Sequence, residues 1–335
     1  MDERLKRFRT PLLVALTVSL GLGLGLGWKL KRDRAAQLGV VTSSKKIRVL
    51  SLQGALPPQI LRGFRSSENI EVEMVTEPTP EAVYAHLDRD SSFDLVTLLL
   101  SQTQRAVQSL KMQPMKLTDV AGFENVSRDF VDLPEKEPST VPFLWGLLGY
   151  VYDTATVEPI KTWSDVFDLD HETRIQLKPL GLEMQRLAKI ETSAPISESA
   201  LQERVRKFSS SYKQTPTFLA DPELKQAEGD VVEVSFSEGT IPAYKDMDFV
   251  LPKEGALLWI LTLGLGAQAK NVEDAKAFVS YVLRPEVAIE ISRLNHEAST
   301  NKSVEQSGLL PTQKPSSLRR IPLTLIDLSL GDSRN

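Results

Sequence analysis

The sequence predicts an α/β protein whose body follows an N-terminal membrane segment, and three observations carry that expectation. Short apolar strands alternate with amphipathic helices from Ile47 onward, an uncharged run occupies Pro11 to Trp28, and composition changes near Ser139 to Gly146. With 335 residues, 41% hydrophobic and 25% charged, the chain has ordinary globular usage and room for two medium domains. Disordered and collagen-like classes are excluded on that ground.

The uncharged run is 18 residues long and is preceded by Arg4, Lys6, Arg7 and Arg9. As a helix it would span about 27 Å, close to the ~30 Å of a bilayer's hydrocarbon core. Its only hydroxyl side chains are Thr17 and Ser19, too few for the polar face of a buried globular helix. Residues 1–28 therefore read as a signal anchor or a signal peptide. Lys29, Lys31, Arg32 and Arg34 follow directly and Ala-x-Ala is absent, which favours an uncleaved anchor, with Gly25-Leu26-Gly27 as a weak cleavage candidate. Residues 29–45 read as a basic, polar linker.

The folded body begins with the apolar strand Ile47–Leu52. A turn at Gly54 and Pro57-Pro58 leads into a helix over Gln59 to Ser66 with Ile60, Leu61 and Phe64 on one face. Ile70 to Val75 alternates apolar and acidic residues as a half-buried strand does. Thr79 can cap a helix that starts at Pro80. The run Phe93 to Leu100, uncharged after Asp94, fits a strand buried on both faces. Three strands separated by two helices imply a parallel sheet, and such sheets hold ligands at the carboxyl ends of their strands. Attention therefore falls on Leu52-Gln53-Gly54 and on Ser101-Gln102-Thr103.

Beyond the composition change, strands are expected at Gly149–Asp153, Val231–Phe236 and Asp248–Leu251, and helices at Thr162–Phe167 and Glu198–Ser210. Trp259 to Leu265 follows the turn at Pro252-Lys253-Glu254-Gly255. A helix from Val272 has Glu273 and Asp274 in its first turn, where they complement the helix dipole, and stops before Pro285; another covers Glu286 to Asn295.

Catalytic signatures are missing. His86, His171 and His296 form no His-Glu-x-x-His pair, and no Gly-x-Ser-x-Gly elbow, phosphate loop or dinucleotide fingerprint is present. Cysteine is absent, which removes disulfides, thiol catalysis and Cys-ligated metals. A net charge of −4 offers no footprint for nucleic acid. The chain is expected to be no enzyme, with no catalytic residue, metal or cofactor.

Three blocks carry a resemblance. They are Val141-Pro142-Phe143-Leu144-Trp145-Gly146 with Tyr150–Asp153 and Thr162-Trp163-Ser164-Asp165; Leu251-Pro252-Lys253-Glu254-Gly255 with Trp259; and Ala269-Lys270-Asn271 through Leu283-Arg284-Pro285-Glu286-Val287-Ala288. Their order and spacing resemble the spermidine/putrescine-binding proteins of polyamine ABC transporters, within the periplasmic solute-binding proteins. The resemblance covers about residues 46–305. It implies a two-lobed periplasmic-binding-protein fold of type II, each lobe a mixed, mainly parallel sheet flanked by helices. Residues 46–140 and 254–296 would form the first lobe, and 141–253 and 297–335 the second. It also implies hinge closure over a small solute, an inner-membrane ABC permease as partner, and a periplasmic body tethered to the membrane through residues 11–28. The alternative is a membrane-anchored sensor or scaffold with a degenerate ligand cleft.

The polyamine cage itself carries over poorly. Where the family has a tryptophan near the end of the first strand, this chain has Leu52 and Gln53; for the tyrosines after the third strand it has Ser101-Gln102-Thr103-Gln104. The family's aspartate two residues after Trp259 is Leu261 here, and its tryptophan before Glu238-Gly239 is Ser237. The expected ligand-binding set is therefore Gln53, Ser101, Gln102, Thr103, Ser237, Glu238 and Trp259, suited to a polar or cationic solute. Trp145 lies near the crossing between lobes and reads as core.

Overall fold

The computed structural model describes residues 45–131, 140–148, 150–153, 161–162, 174–177, 197, 199–200, 202–203, 206, 213–214, 219, 231–234, 247–250 and 257–307. The N-terminal run and linker, Ser237, Glu238 and most of the helix expected at Thr162–Phe167 lie outside these residues. Residues 199, 200, 202, 203 and 206, within the helix expected at Glu198–Ser210, are helical. Among the described residues no helix is long and apolar enough to cross a membrane.

Strand β1 (Lys45–Leu52) runs parallel to β2 (Ile70–Glu77) on one side and β3 (Leu95–Leu99) on the other. β1 is buried at Ile47 and from Val49 to Leu52, and every residue of β3 is buried, as expected of central strands covered on both faces. Helix α1 (Pro58–Glu68) connects β1 to β2, and α2 (Pro80–Arg89) connects β2 to β3. The two connections step in opposite directions across the sheet, so right-handed crossovers put their helices on opposite faces. α1 starts with proline in its first turn and ends at Asn69 in the left-handed conformation. In α2 the Thr79 hydroxyl accepts the Ala82 N–H, the cap expected from sequence.

Helix α3 (Leu100–Gln108) begins directly after β3. The sequence reading carried the strand through Leu100 and foresaw no helix there. Short β4 (Met112–Gln113), α4 (Arg128–Val131) and β5 (Val141–Leu148) follow. After the second sheet the chain returns as β11 (Leu257–Gly266), then α5 (Val272–Val282), α6 (Pro285–Asn295), β12 (Ala298–Ser299) and α7 (Lys302–Ser307). The first sheet has the order β12-β5-β11-β3-β1-β2, with β4 pairing to β11. β11 is antiparallel to both β3 and β5. Residues 141–148 and 298–299, assigned to the second lobe from sequence, thus pair within the first sheet. The composition change near Ser139 to Gly146 reads as a crossing between lobes, whereas Val141–Leu148 is a strand of the first sheet, with Pro142 beside a register shift in the β5–β11 pair, where a residue without an N–H is tolerated.

The second sheet has the order β10-β6-β9-β7-β8, built from β6 (Tyr150–Asp153), β7 (Arg174–Leu177), β8 (Lys213–Gln214), β9 (Val231–Val234) and β10 (Met247–Val250). β7 is parallel to both β8 and β9, whereas β6 is antiparallel to β9 and β10.

Phe64 of α1 meets Phe278 of α5 edge-on at 4.9 Å between ring centroids, and Tyr281 at 5.3 Å, which joins the two helices over the sheet. Phe64 and Phe278 are fully buried. Each such side chain contributes about 1.5–3 kcal/mol through burial.

The segments that meet in the first sheet are tied by Asp94, a carboxylate only 3% exposed just before β3. Its Oδ1 accepts the backbone N–H groups of Lys270 and Asn271, both at 2.9 Å. Its Oδ2 accepts the Arg48 N–H at 2.9 Å and the Asn271 side-chain amide at 3.2 Å. Its backbone N–H donates to Arg48 O, and its carbonyl accepts from Gly266. Burial alone would raise the pKa of this group. The hydrogen bonds from Arg48, Asn271 and Lys270 outweigh it and hold the carboxyl below the usual carboxylate range.

Asp94→Ala leaves three backbone N–H groups without their acceptor and is expected to lower stability by about 3–5 kcal/mol, read from urea unfolding. Because the folded-state pKa is depressed, the Asp94 contribution is complete above the ordinary aspartate pKa of ~3.9 and is lost as pH falls through the lowered folded value. Wild type should therefore lose stability faster than the variant across that acidic window. Parallel curves for the two proteins would contradict the assignment.

Candidate functional site

β1, β2 and β3 are parallel, so their carboxyl ends share one edge of the first sheet. The register carries that edge onward. Leu261 pairs with Leu99, placing the amino-terminal part of β11 at the same end, and Trp259 pairs with Gly146 of β5. Gln53, Ser101 and Trp259, distant in sequence, are thereby brought to one end of one sheet.

Each position has a local cause. Gln53 follows the last residue of β1, is exposed, and donates its backbone N–H to Glu77 O at 2.8 Å. Gly54 turns the chain with φ +84°, a conformation that suits glycine. A methyl group at Gly54 would stand 3.7 Å from Leu219 Cβ, in ordinary contact. Leu219, 2% exposed, therefore packs against the turn that follows β1. Sequence reasoning missed Leu219, whose surrounding residues carry no strand or helix signal.

Ser101, Gln102 and Thr103 lie in the first turn of α3, with Ser101 and Gln102 half-buried and Thr103 buried. The residue before that helix is Leu99, whose apolar side chain cannot cap it. The first N–H groups of α3 thus keep their positive polarity at the sheet's ligand end. Thr103 turns its hydroxyl inward, donating to Leu100 O at 2.8 Å, whereas the Gln102 Oε1 is enclosed without a hydrogen-bond partner.

Trp259 is 4% exposed and stands across from a glycine, so no side chain from β5 competes for the space beside its indole. Trp145 behaves as core. Its Nε1 donates to Ser299 O at 3.1 Å and its ring lies 5.3 Å from that of Phe130. Leu52 and Leu261 are each 1% exposed and belong to the core. Of the expected set, Ser237 and Glu238 fall outside the described residues. Among the described residues no group of three His, Asp or Glu is placed to hold a metal ion.

A mixed sheet with polar groups and a buried indole at its ligand end defines a class of protein that binds a small molecule. Residues 94–318 match the family described as bacterial extracellular solute-binding protein, and the chain belongs to that family. Its members bind solutes and are not enzymes. The spermidine/putrescine-binding periplasmic protein of Salmonella typhimurium is 25% identical over 259 residues, 71% of this chain and 72% of that protein. Among solved structures, a putative spermidine/putrescine ABC transporter protein from Listeria monocytogenes superposes with a TM-score of 0.70 at 21% identity, covering 83% of this chain and 90% of that one. The periplasmic binding protein AfuA from Actinobacillus pleuropneumoniae, with fructose-6-phosphate bound, gives 0.67 at 16% identity, covering 82% and 91%.

Trp145→Phe keeps an aromatic ring but removes the donor to Ser299 O and part of the packed indole. It should lower stability by about 1–3 kcal/mol in urea unfolding. A loss under about 0.3 kcal/mol would show that this hydrogen bond contributes little and reopen the question of what Trp145 does.

Proposed function

We propose that this chain is the periplasmic solute-capture component of a polyamine-type ABC transporter. It takes a small polar or cationic solute between two lobes and delivers it to an inner-membrane permease. The observation that carries the reading is the gathering of Gln53, Ser101 and Trp259 at the ligand end of the first sheet, in a chain of the extracellular solute-binding family. The name of the Salmonella relative supports the polyamine class. Gln102, Thr103, Ser237 and Glu238 complete the proposed solute set, with Thr103 acting through the shape of the α3 turn, because its hydroxyl is bound to Leu100 O.

The two sheets are the cores of the two lobes of a type II binding fold. On this reading the first lobe includes β5, β11 and β12, and the second holds β6 to β10. The chain crosses between them after β5 and before β11. Closure about these two crossings traps the solute, the hinge motion available to such a design. Pro11 to Trp28 tethers the body to the inner membrane.

Differential scanning fluorimetry of the full-length protein with polyamines, amino acids and sugar phosphates tests the capture step. A true ligand at a hundred times its Kd adds about 2.7 kcal/mol, so the Tm should rise by several degrees for at least one solute. No shift from any of them at millimolar concentration would sink the reading. Alkaline carbonate washing of membranes tests the tether separately: the protein should stay with the pellet, and its release into the wash would show that residues 11–28 do not span the bilayer.

A further inference from the structure

We infer that Leu219 is a clamp between the two lobes, holding the second against the first sheet in the ligand-free protein, so that solute enters only when this contact breaks. The clamp rests on the two-lobed reading above and adds to it a residue that controls access.

Leu219 follows β8 and precedes β9, two strands of the second sheet. Its side chain nevertheless belongs to the apolar core of the first sheet and is 2% exposed. Every other buried member of that core comes from residues 47–144 and 259–291. A leucine carried between strands of one sheet and buried with the core of the other ties the two together.

The turn after β1 builds the point of contact. Ala55 donates its N–H to Leu52 O at 3.1 Å, closing a four-residue turn whose third residue, Gly54, has φ +84°. Glycine is the residue that such a position takes, and it presents bare backbone to its visitor. A methyl group built on Gly54 would stand 3.7 Å from Leu219 Cβ and 3.9 Å from Leu219 Cδ1. Leu52 before the turn and Ala55 and Leu56 after it are buried, so the contact is flanked by apolar side chains. The turn lies at the carboxyl end of β1, the ligand end of a parallel sheet. Leu219 therefore bridges the lobes where a solute has to pass. Moving the lobes apart would expose its side chain to water. Burial of one leucine is equivalent to roughly 10- to 150-fold in an equilibrium constant, enough to turn a hinge that favours the open state into one that favours the closed state.

The chain contains no cysteine, and the 3.7 Å between Leu219 Cβ and a Cβ at Gly54 is a spacing that a disulfide spans. The full-length double variant Gly54→Cys with Leu219→Cys should therefore crosslink on oxidation without solute, read as loss of free thiols and as a linked peptide in mass spectrometry. Isothermal titration calorimetry with spermidine, putrescine and fructose-6-phosphate should show no uptake by the oxidised protein and recovery on reduction. Thiols that stay free in the folded, oxidant-treated variant would overturn the clamp, as would uptake by the crosslinked protein equal to that of the reduced one. Leu219→Ser gives a second test and decides alone if the double variant does not fold. Its ligand-free radius of gyration in small-angle X-ray scattering should exceed that of wild type while urea unfolding stays cooperative, and its association rate with solute should rise about tenfold or more. A radius equal to that of wild type would overturn the clamp. Wild type that takes none of the three probes would count against the solute-binding reading, while the thiol and scattering readouts would still decide the clamp.

Discussion

The first sheet depends on one buried carboxylate. Asp94 stands where β1, the start of β3 and the loop between β11 and α5 converge, and its two oxygens accept N–H groups from Arg48, Lys270 and Asn271. The partners are separated from Asp94 by 46, 176 and 177 positions. A chain that leaves the first sheet and later comes back needs a device that fixes where it re-enters. Asp94 is that device, and its depressed pKa reflects the same hydrogen bonds that set the position. Gly266 completes the junction: a side chain there would collide with the Phe93 carbonyl, so only glycine lets β11 close against the residue beside Asp94.

Fixing the β11 register determines the ligand end. With Leu265 opposite Leu95 and Leu261 opposite Leu99, Trp259 must overshoot β3 and stand beyond the end of that strand. The pairing of β11 with β5 then decides that a glycine faces the indole. Placement of the candidate solute residues is thus a consequence of hydrogen bonding some way back in the sheet. A one-residue slip of the return strand would turn the Trp259 side chain to the other face.

Elements with a local physical signal were legible in the sequence. The alternation of Ile70, Val72 and Met74 with glutamates, the Thr79 cap followed by Pro80, and the acidic first turn of the helix at Val272 each gave an element its type and nearly its bounds. What failed had no such signal. α3 starts within the run Leu98-Leu99-Leu100 without a capping side chain, so burial of the strand masked the start of the helix. β5 carries Pro142, a residue that ordinarily demotes a central strand, and only the register shift in its pairing with β11 accommodates it. Glu297 sits in a polar stretch that reads as surface. Its burial follows from the left-handed turn at His296 and from the hydroxyl bonds of Ser299 and Thr300 to β5, which involve residues more than 150 positions away.

The departures from the polyamine-binding pattern also have a packing cause. Leu261 is flanked by Leu99 on β3 and Leu144 on β5, and all three are essentially buried. An aspartate at that position would have leucines as its cross-strand neighbours on both sides and would lose its hydration, a cost of several kcal/mol without compensating hydrogen bonds. Leu52 is equally enclosed at the end of β1. The centre of the sheet is therefore committed to apolar packing, and the polar residues at this end, Gln53 and Ser101, stand past the last residues of β1 and β3.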